Sequence, residues 1–465
     1  MEHTPTIRSK IETELKQRGY SFSSFSKISG INRGTFSAML NSNPPKPISV
    51  RQMDLITKAL GYPEGWLYEL YIDECFYEGK GHWKRIKPFL LRCMELGRKD
   101  CIQKVLWRLT EDLSYVSTIF ELAEELHKGG KIEEAVPFYE CVIENERYYH
   151  SERLAISQYR LFCHSLNTDF DNNHQAAIKF APFRRNLPVN YQLDALLMLA
   201  NTYLQLQKFE KVMTYTEELK ILATNVYKQY ASKKVNNNKI KELDTERHLI
   251  VYLGQSYLLQ GSALERQGLY KEALETIPYY YNLTYLVPND KIGRLEALKF
   301  QMWAKANLLH IKILMGDQAS IPFYVELIKN NPSEILHGLL TIVKSANAFN
   351  FSIEDILILF SDQINGFRKL SGDISYYPLD FNMLNYSRFF LELSRYYFNK
   401  GSYTEAIDSM LISLKASSQL NDKTYYIKSI TLLFEKYKDH STEEQRLEYE
   451  KVIKTVENNI RQMTS

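Results

Sequence analysis

The sequence predicts an all-α protein, and three observations lead there. Apolar residues recur at i, i+3 and i+4 along most of the 465 residues, the spacing that lines one face of a helix. Alternating apolar and polar runs, which a half-buried strand requires, are hard to find. Glycine (19) and proline (14), the residues that interrupt helices, are sparse. The 33 tyrosines and 23 phenylalanines must then fill gaps between helices. A chain of this length exceeds one compact core, which leaves two or more domains or an elongated repeat array.

The first element is "TIRSKIETELKQRG", with Ile7, Ile11 and Leu15 on one face and Gly19 as its C-terminal stop. In "SFSSFSKISGINRGTFSAMLN" (21–41), Ser21 caps a short helix that turns Phe22, Phe25 and Ile28 inward. Gly30 makes the turn. Asn32 caps "RGTFSAMLN", with Phe36 and Met39 or Leu40 inward. Gly34 costs that helix about 1 kcal/mol of propensity. "NPPKP" (43–47) is a stiff loop. Ser49 and Gln52 form a capping box ahead of Met53, Ile56 and Leu60, and Gly61 ends that helix. "PEGWL" (63–67) starts a short last helix, with Pro63 near its first turn. "WKRIKPFLLRCMELGRKDCIQKVLWRL" (83–109) reads as two helices broken near Gly97.

The remainder repeats. "IFELAEELHKGGKIEEAVPFYECVI" (119–143), "LLMLANTYLQLQKFEKVMTYTEEL" (196–219), "YLLQGSALERQGLYKEALETIPYYY" (257–281) and "FLELSRYYFNKGSYTEAIDSMLISL" (390–414) share one shape. Each is an apolar-striped helix, a turn with Gly or Gln, then Ile132, Phe209, Tyr270 or Tyr403, then Ala135, Val212, Ala273 or Ala406. The last-named anchors fall 77, 61 and 133 residues apart, so insertions and degenerate units lie between them. The segment 301–328 is one such unit, and the Asn-rich segment 233–247 reads as an exposed loop or a helix tip.

Residues 1–67 carry nine Lys/Arg against five Asp/Glu, although the whole chain nets only +3. The positive excess therefore sits at the N-terminus, as a phosphate backbone would favour. The five cysteines make no CxxC pair and read as thiols in a reducing cytosol. The N-terminus has no apolar signal region, and no run approaches the ~20 apolar residues of a membrane span, so the expected location is cytoplasmic. Walker A, GxGxxG and HExxH patterns are absent, and the ten histidines are scattered. The carboxylate pairs Glu133/Glu134 and Glu217/Glu218 read as solvated helix faces. No enzyme activity, cofactor or metal site is expected.

The helix order, the Gly30–Ile31–Asn32 turn and the closing "LITKALGYPEGWL" resemble the lambda-repressor/Cro-like helix-turn-helix family. The resemblance covers residues 5–67 and implies a five-helix DNA-binding domain over 1–67. Phe22 stands where that family often has a phosphate-contacting Gln, and Ser26 where it usually has Ala. The repeats resemble the tetratricopeptide repeat, a 34-residue helix–turn–helix. They imply an α-solenoid over 111–465, with 68–110 as a helical linker. A small helical bundle without DNA contact and a plain scaffold remain the bland alternatives.

For DNA, the resemblance places residues 33–41 in the major groove, with Arg33 as base reader through guanine O6 and N7. Thr35, Ser37 and Asn41 reach bases or phosphates, Asn32 contacts DNA or only caps the helix, and Lys27 and Lys46 are phosphate contacts. So few readers imply a homodimer on half-sites about 34 Å apart. For the repeats, concave positions carry over to Asn201, Gln205, Gln255, Arg266, Arg388, Arg395 and Asn399. Asn can clamp a peptide backbone and Arg a carboxylate. Tyr203 and Tyr257 are open to groove or core roles. The two parts together resemble the RNPP-type peptide-pheromone receptors of Gram-positive bacteria. In that family a re-imported short peptide binds the concave face and changes DNA occupancy. The implied partners are double-stranded DNA and a short signalling peptide, in quorum sensing. The alternative is a Rap-like repeat protein that sequesters a protein partner.

Overall fold

The computed structural model describes residues 6–77, 80–147, 151–167, 169–235, 243–369, 379–418 and 424–464. The protein is all-α. Among the described residues the only strand pairing is a two-residue antiparallel ladder, with Phe76 opposite Gly81. Among the described residues, no helix is long and apolar enough to cross a membrane. The chain packs as two compact units, Met1–His164 and Ser165–Ser465.

The first unit contains α1 (Ile7–Gln17), α2 (Phe22–Ser29), α3 (Arg33–Asn41), α4 (Val50–Ala59) and α5 (Tyr68–Cys75). They are followed by α6 (Trp83–Glu95), α7 (Lys99–Leu109), α8 (Tyr115–Lys128), α9 (Ile132–Asn145) and α10 (Glu152–Ser165). The expected stripes are buried: Ile7, Ile11 and Leu15; Phe25; Phe36 and Met39; Met53, Ile56 and Leu60. The Ser49–Gln52 capping box forms as expected. The buried cluster does not stop at residue 67 but runs on through Tyr68 and Tyr71 to Val142. Arg8 ties α1 to this continuation, pairing with Glu74 of α5 and donating to the Met39 carbonyl at 2.9 Å. Its charge is therefore used inside the unit.

Two expectations here are corrected. Ile28 is 52% exposed. The helical period puts Phe22, Phe25 and Ser29 on one stripe, and Ile28 falls beside it. Residues 64–67 are a turn rather than a helix start, because Gly65 takes a left-handed φ of 83°. The fifth helix begins at Tyr68, so the described residues up to 67 hold four helices.

The second unit contains α11 (Phe170–Phe180), α12 (Val189–Gln205), α13 (Phe209–Val235), α14 (Leu249–Arg266), α15 (Tyr270–Tyr281), α16 (Lys291–Leu314) and α17 (Ile321–Lys329). Then come α18 (Ile335–Phe349), α19 (Glu354–Leu359), α20 (Ser361–Lys369), α21 (Leu379–Lys400), α22 (Tyr403–Ser417), α23 (Thr424–Tyr437) and α24 (Glu443–Thr464). Helices α12, α14, α16, α18 and α21 each touch the next in that order, while α13, α15, α17 and α22 pack beside them. Of the Asn-rich segment, 236–242 lie outside the described residues. Glu218 is no solvated carboxylate: Arg184 holds both its oxygens, at 2.9 and 2.6 Å.

All four sequence repeats are helix pairs joined by one turn. Gly130, Gln207, Gly268 and Gly401 adopt φ of 76°, 54°, 76° and 78°. In each pair the next residue's N–H reaches back five residues: Lys131 to Leu126, Lys208 to Tyr203, Leu269 to Leu264 and Ser402 to Tyr397, at 2.9–3.0 Å. This is the Schellman closure that satisfies a helix's last carbonyls. The second helix starts two residues after the left-handed one, and Ala135, Val212, Ala273 and Ala406 are all 0% exposed. Gly97, with φ 67° and Arg98 N–H on the Cys93 carbonyl at 2.8 Å, joins α6 to α7 by the same turn. There Ile102 takes the place of the small residue, so the sequence pattern did not include it.

Glycine also sets a helix separation. A Cβ on Gly254 of α14 would stand 2.5 Å from the ring of Phe300 on α16. Phe300 is fully buried and has nowhere to swing. Gly254→Ala is expected to destabilise the second unit by about 1–2 kcal/mol, overpacking outweighing the gain in helix propensity. A urea midpoint at or above that of the wild type would contradict it.

Candidate functional site

The first candidate is the outer face of α3. Ser21 caps α2, its Oγ accepting from the Ser24 N–H at 3.1 Å. After Gly30, Ile31 is buried and pins the turn to the core. The Ser26 hydroxyl donates to the Ile31 carbonyl at 2.6 Å, so serine at this position closes the turn. Asn32 caps α3: its Oδ1 accepts from the Gly34 and Thr35 N–H groups at 2.9 and 3.4 Å. Phe36 locks the inner face, stacked edge-on to Phe22 and tilted against Phe25.

Arg33, Ser37 and Asn41 then fall at i, i+4 and i+8 on the opposite face, with Arg33 and Asn41 exposed and Ser37 half-buried. Thr35 is half-buried beside them. Arg33 makes no ion pair and no side-chain hydrogen bond among the described residues. Lys27 is exposed in the last turn of α2. Lys46 is exposed after α3, with its N–H held by the Ala38 carbonyl at 3.0 Å. Asn32 is thus occupied as a cap, and the outward row on α3 is Arg33, Ser37 and Asn41.

The second candidate is a cavity of about 710 Å³ in the Ser165–Ser465 unit. Leu258, Gly261, Ser262 and Glu265 of α14 fall at i, i+3, i+4 and i+7 and line it. Asn307, His310, Ile311 and Leu314 repeat that spacing on α16. Helix α18 adds His337, Thr341, Lys344 and Ala348, and α21 adds Arg388, Glu392 and Arg395. Each of these helices buries its apolar side elsewhere and turns one mixed stripe to the cavity.

Arg266, Arg388 and Arg395 among the expected peptide contacts line this cavity, and Asn201, Gln205, Gln255 and Asn399 do not. Gln255 and Asn399 lie on the same stripes of α14 and α21, about one turn outside. Asn201 back-bonds to the Leu197 carbonyl of its own helix at 2.9 Å, and Gln205 is exposed at the end of α12. Tyr203 is core, stacked on Tyr215, and Tyr257 stacks on Tyr279.

Sequence reasoning missed His310, His337, Lys344 and Glu265. One signal was legible: polar residues at 337, 341 and 344 interrupt the otherwise apolar "ILHGLLTIVKSANAF" at helical spacing. His310 faces Glu265 at 3.5 Å and Thr341 at 2.9 Å, and its ring stacks on His337 with centroids 5.2 Å apart. Burial raises the Glu265 pKa, but the His310 hydrogen bond and the nearby cations outweigh it and hold the carboxyl below its usual range. Water touches His337 and Lys344, yet the cavity walls surround both. Burial, then His310, lowers His337 to about 4. Burial, then Arg388, lowers Lys344. Glu392 is held by Arg395 at 2.6 Å and by Asn347 at 3.0 Å. Four Lys/Arg line the cavity against two carboxylates, so it favours an anionic group.

Among the described residues, no group of three or more His, Cys, Asp or Glu side chains is placed to hold a metal ion. No protein-family model matches the chain, and no curated protein matches it.

Proposed function

We propose that the chain is a sequence-specific DNA-binding transcription regulator controlled by a short signalling peptide, of the RNPP type it resembles. The observation that carries this reading is the outward row of α3. Arg33, Ser37 and Asn41 stand on one face of a capped helix, and Arg33 makes no ion pair or side-chain hydrogen bond among the described residues. Such a helix is suited to the major groove, with an arginine fork for guanine. Helices α1 to α5 act as the lambda-repressor-like head. The recurring pairs with one Schellman turn and one buried small residue act as the tetratricopeptide-like array. The cavity on α14, α16, α18 and α21 takes the peptide, and its volume lies in the range of small-ligand pockets. The protein works as a homodimer in the cytoplasm, each head on one half-site.

A genome-wide footprint tests the reading. Discrete sites that survive competitor DNA are expected, with an occupancy that changes when host peptide extract is added. An empty footprint with and without that extract would sink it. The second reading, a repeat protein that sequesters a protein partner, has an observation of its own. Ile292, Leu295, Leu298 and Met302 leave α16 with an exposed apolar side. Pull-down of a stoichiometric partner together with an empty footprint would favour it.

A further inference from the structure

We propose that the end of the cavity lined by His337, Lys344 and Arg388 is a proton-coupled anion site, which takes a carboxylate of the bound peptide while His337 takes up a proton. The inference rests on the peptide reading above and deepens it.

The geometry has three parts. Lys344 lies two turns along α18 from His337 on the same stripe, and makes no ion pair or hydrogen bond among the described residues. The cavity's two carboxylates are already engaged, Glu265 by His310 and Glu392 by Arg395. An incoming carboxylate therefore meets Lys344 and, among the described lining residues, no competing acid with a free oxygen pair. Finally, the two imidazoles stack at 5.2 Å with a 19° interplanar angle, so a charge on one is felt by the other. Thr341 donates its single hydroxyl proton to the His337 carbonyl at 3.0 Å, and its oxygen lies 2.9 Å from Nδ1 of His310. Nε2 of His310 faces Glu265 at 3.5 Å, and His337 is the imidazole that takes up the proton.

The charged groups facing His337 are Glu265 and Arg266 from α14, His310 from α16 and Lys344 from α18, with Arg388 and Glu392 from α21 acting on Lys344. The cations and the burial keep His337 neutral near neutral pH. A carboxylate beside it favours the charged form and raises its pKa. Binding therefore takes up a proton between pH of about 4, the free value, and the higher bound value. Affinity rises as pH falls through that window, because the peptide carboxylate stays ionised down to about pH 4.

The test uses the full chain and a randomised hexapeptide pool in three forms: free C-terminal acid, C-terminal amide, and amide with one fixed Asp. Retention is read by mass spectrometry. The acid pool should bind about tenfold more tightly at about pH 6 than at about pH 8, which corresponds to a bound value about three pKa units above the free one, and the plain amide should bind more weakly. Lys344→Met should weaken the acid pool at both pH values. His337→Gln should keep binding at the higher pH and lose the rise. Retention of the Asp-bearing amide at the level of the acid supports a side-chain carboxylate as the source; retention of the acid alone supports the C-terminus. Equal retention of acid and both amides, unchanged by pH and by Lys344→Met, overturns the anion site and leaves the peptide reading standing. No retention of any pool overturns both.

Discussion

Arg33→Ala is expected to lower affinity for the strongest footprint site about ten- to a hundredfold and to leave the fold unchanged. A bidentate arginine–guanine contact contributes about 1–3 kcal/mol of discrimination. Nothing inside the protein offsets that loss, since Arg33 is exposed and makes no ion pair or side-chain hydrogen bond among the described residues. Fluorescence anisotropy over a series of stated salt concentrations, with the site duplex and a scrambled duplex, separates the roles. Arg33→Ala should reduce the difference between the two duplexes. Lys27→Ala should weaken both alike and lower the salt slope by about one unit. Asn32→Ala should act through stability, about 1 kcal/mol for the lost cap. Unchanged discrimination in Arg33→Ala would remove α3 as the reader.

Asp194→Ala is expected to destabilise the Ser165–Ser465 unit by about 3 kcal/mol, the largest stability effect anticipated for this unit. Asp194 lies on α12, nearly fully buried. It accepts from the Tyr252 hydroxyl of α14 at 2.5 Å and from Arg247 at 3.2 Å. The Tyr252 oxygen in turn accepts the Arg247 N–H at 3.1 Å. Removing the carboxylate leaves a buried hydroxyl without its acceptor at the start of the helix that carries Glu265. Asp194→Asn should cost much less, because the amide oxygen still accepts from Tyr252. Burial raises the Asp194 pKa, with the Tyr252 hydrogen bond acting the other way. A carboxyl raised by folding favours the folded state most below its unfolded pKa, and that contribution is lost as pH rises through the folded value. The Asn variant should lack this part of the pH dependence. Urea melts across the acid range read both effects, and an alanine variant as stable as the wild type would show that the network contributes nothing.

Local rules made much of this legible. Capping chemistry placed the starts of α2, α3 and α4, and the apolar stripes named the buried residues of α1 and α4. The four helix pairs were readable because a Schellman turn needs one left-handed residue and a close packing needs one small one, both local demands. Where the stripe was short, the reading slipped. In the eight residues of α2, Ile28 and Ser29 differ by one position, and hydrophobicity pointed to the wrong one. At 63–67 a proline suggested a helix start, but the left-handed Gly65 delays it to Tyr68.

The sequence by itself determined the all-α class, the helix pairs and the outward row Arg33, Ser37 and Asn41, because each depends on spacing within one or two turns of one segment. Only the tertiary structure decided which polar residues share a site. Glu265, His310, His337, Lys344 and Arg388 come from four helices spread over more than a hundred positions of the chain. No local pattern separates them from Gln255 or Asn399, which carry the same spacing about one turn outside. What brings them together is the separation between successive helices, set by contacts such as Gly254 on Phe300. That separation is a property of two surfaces packed together, and neither helix encodes it alone.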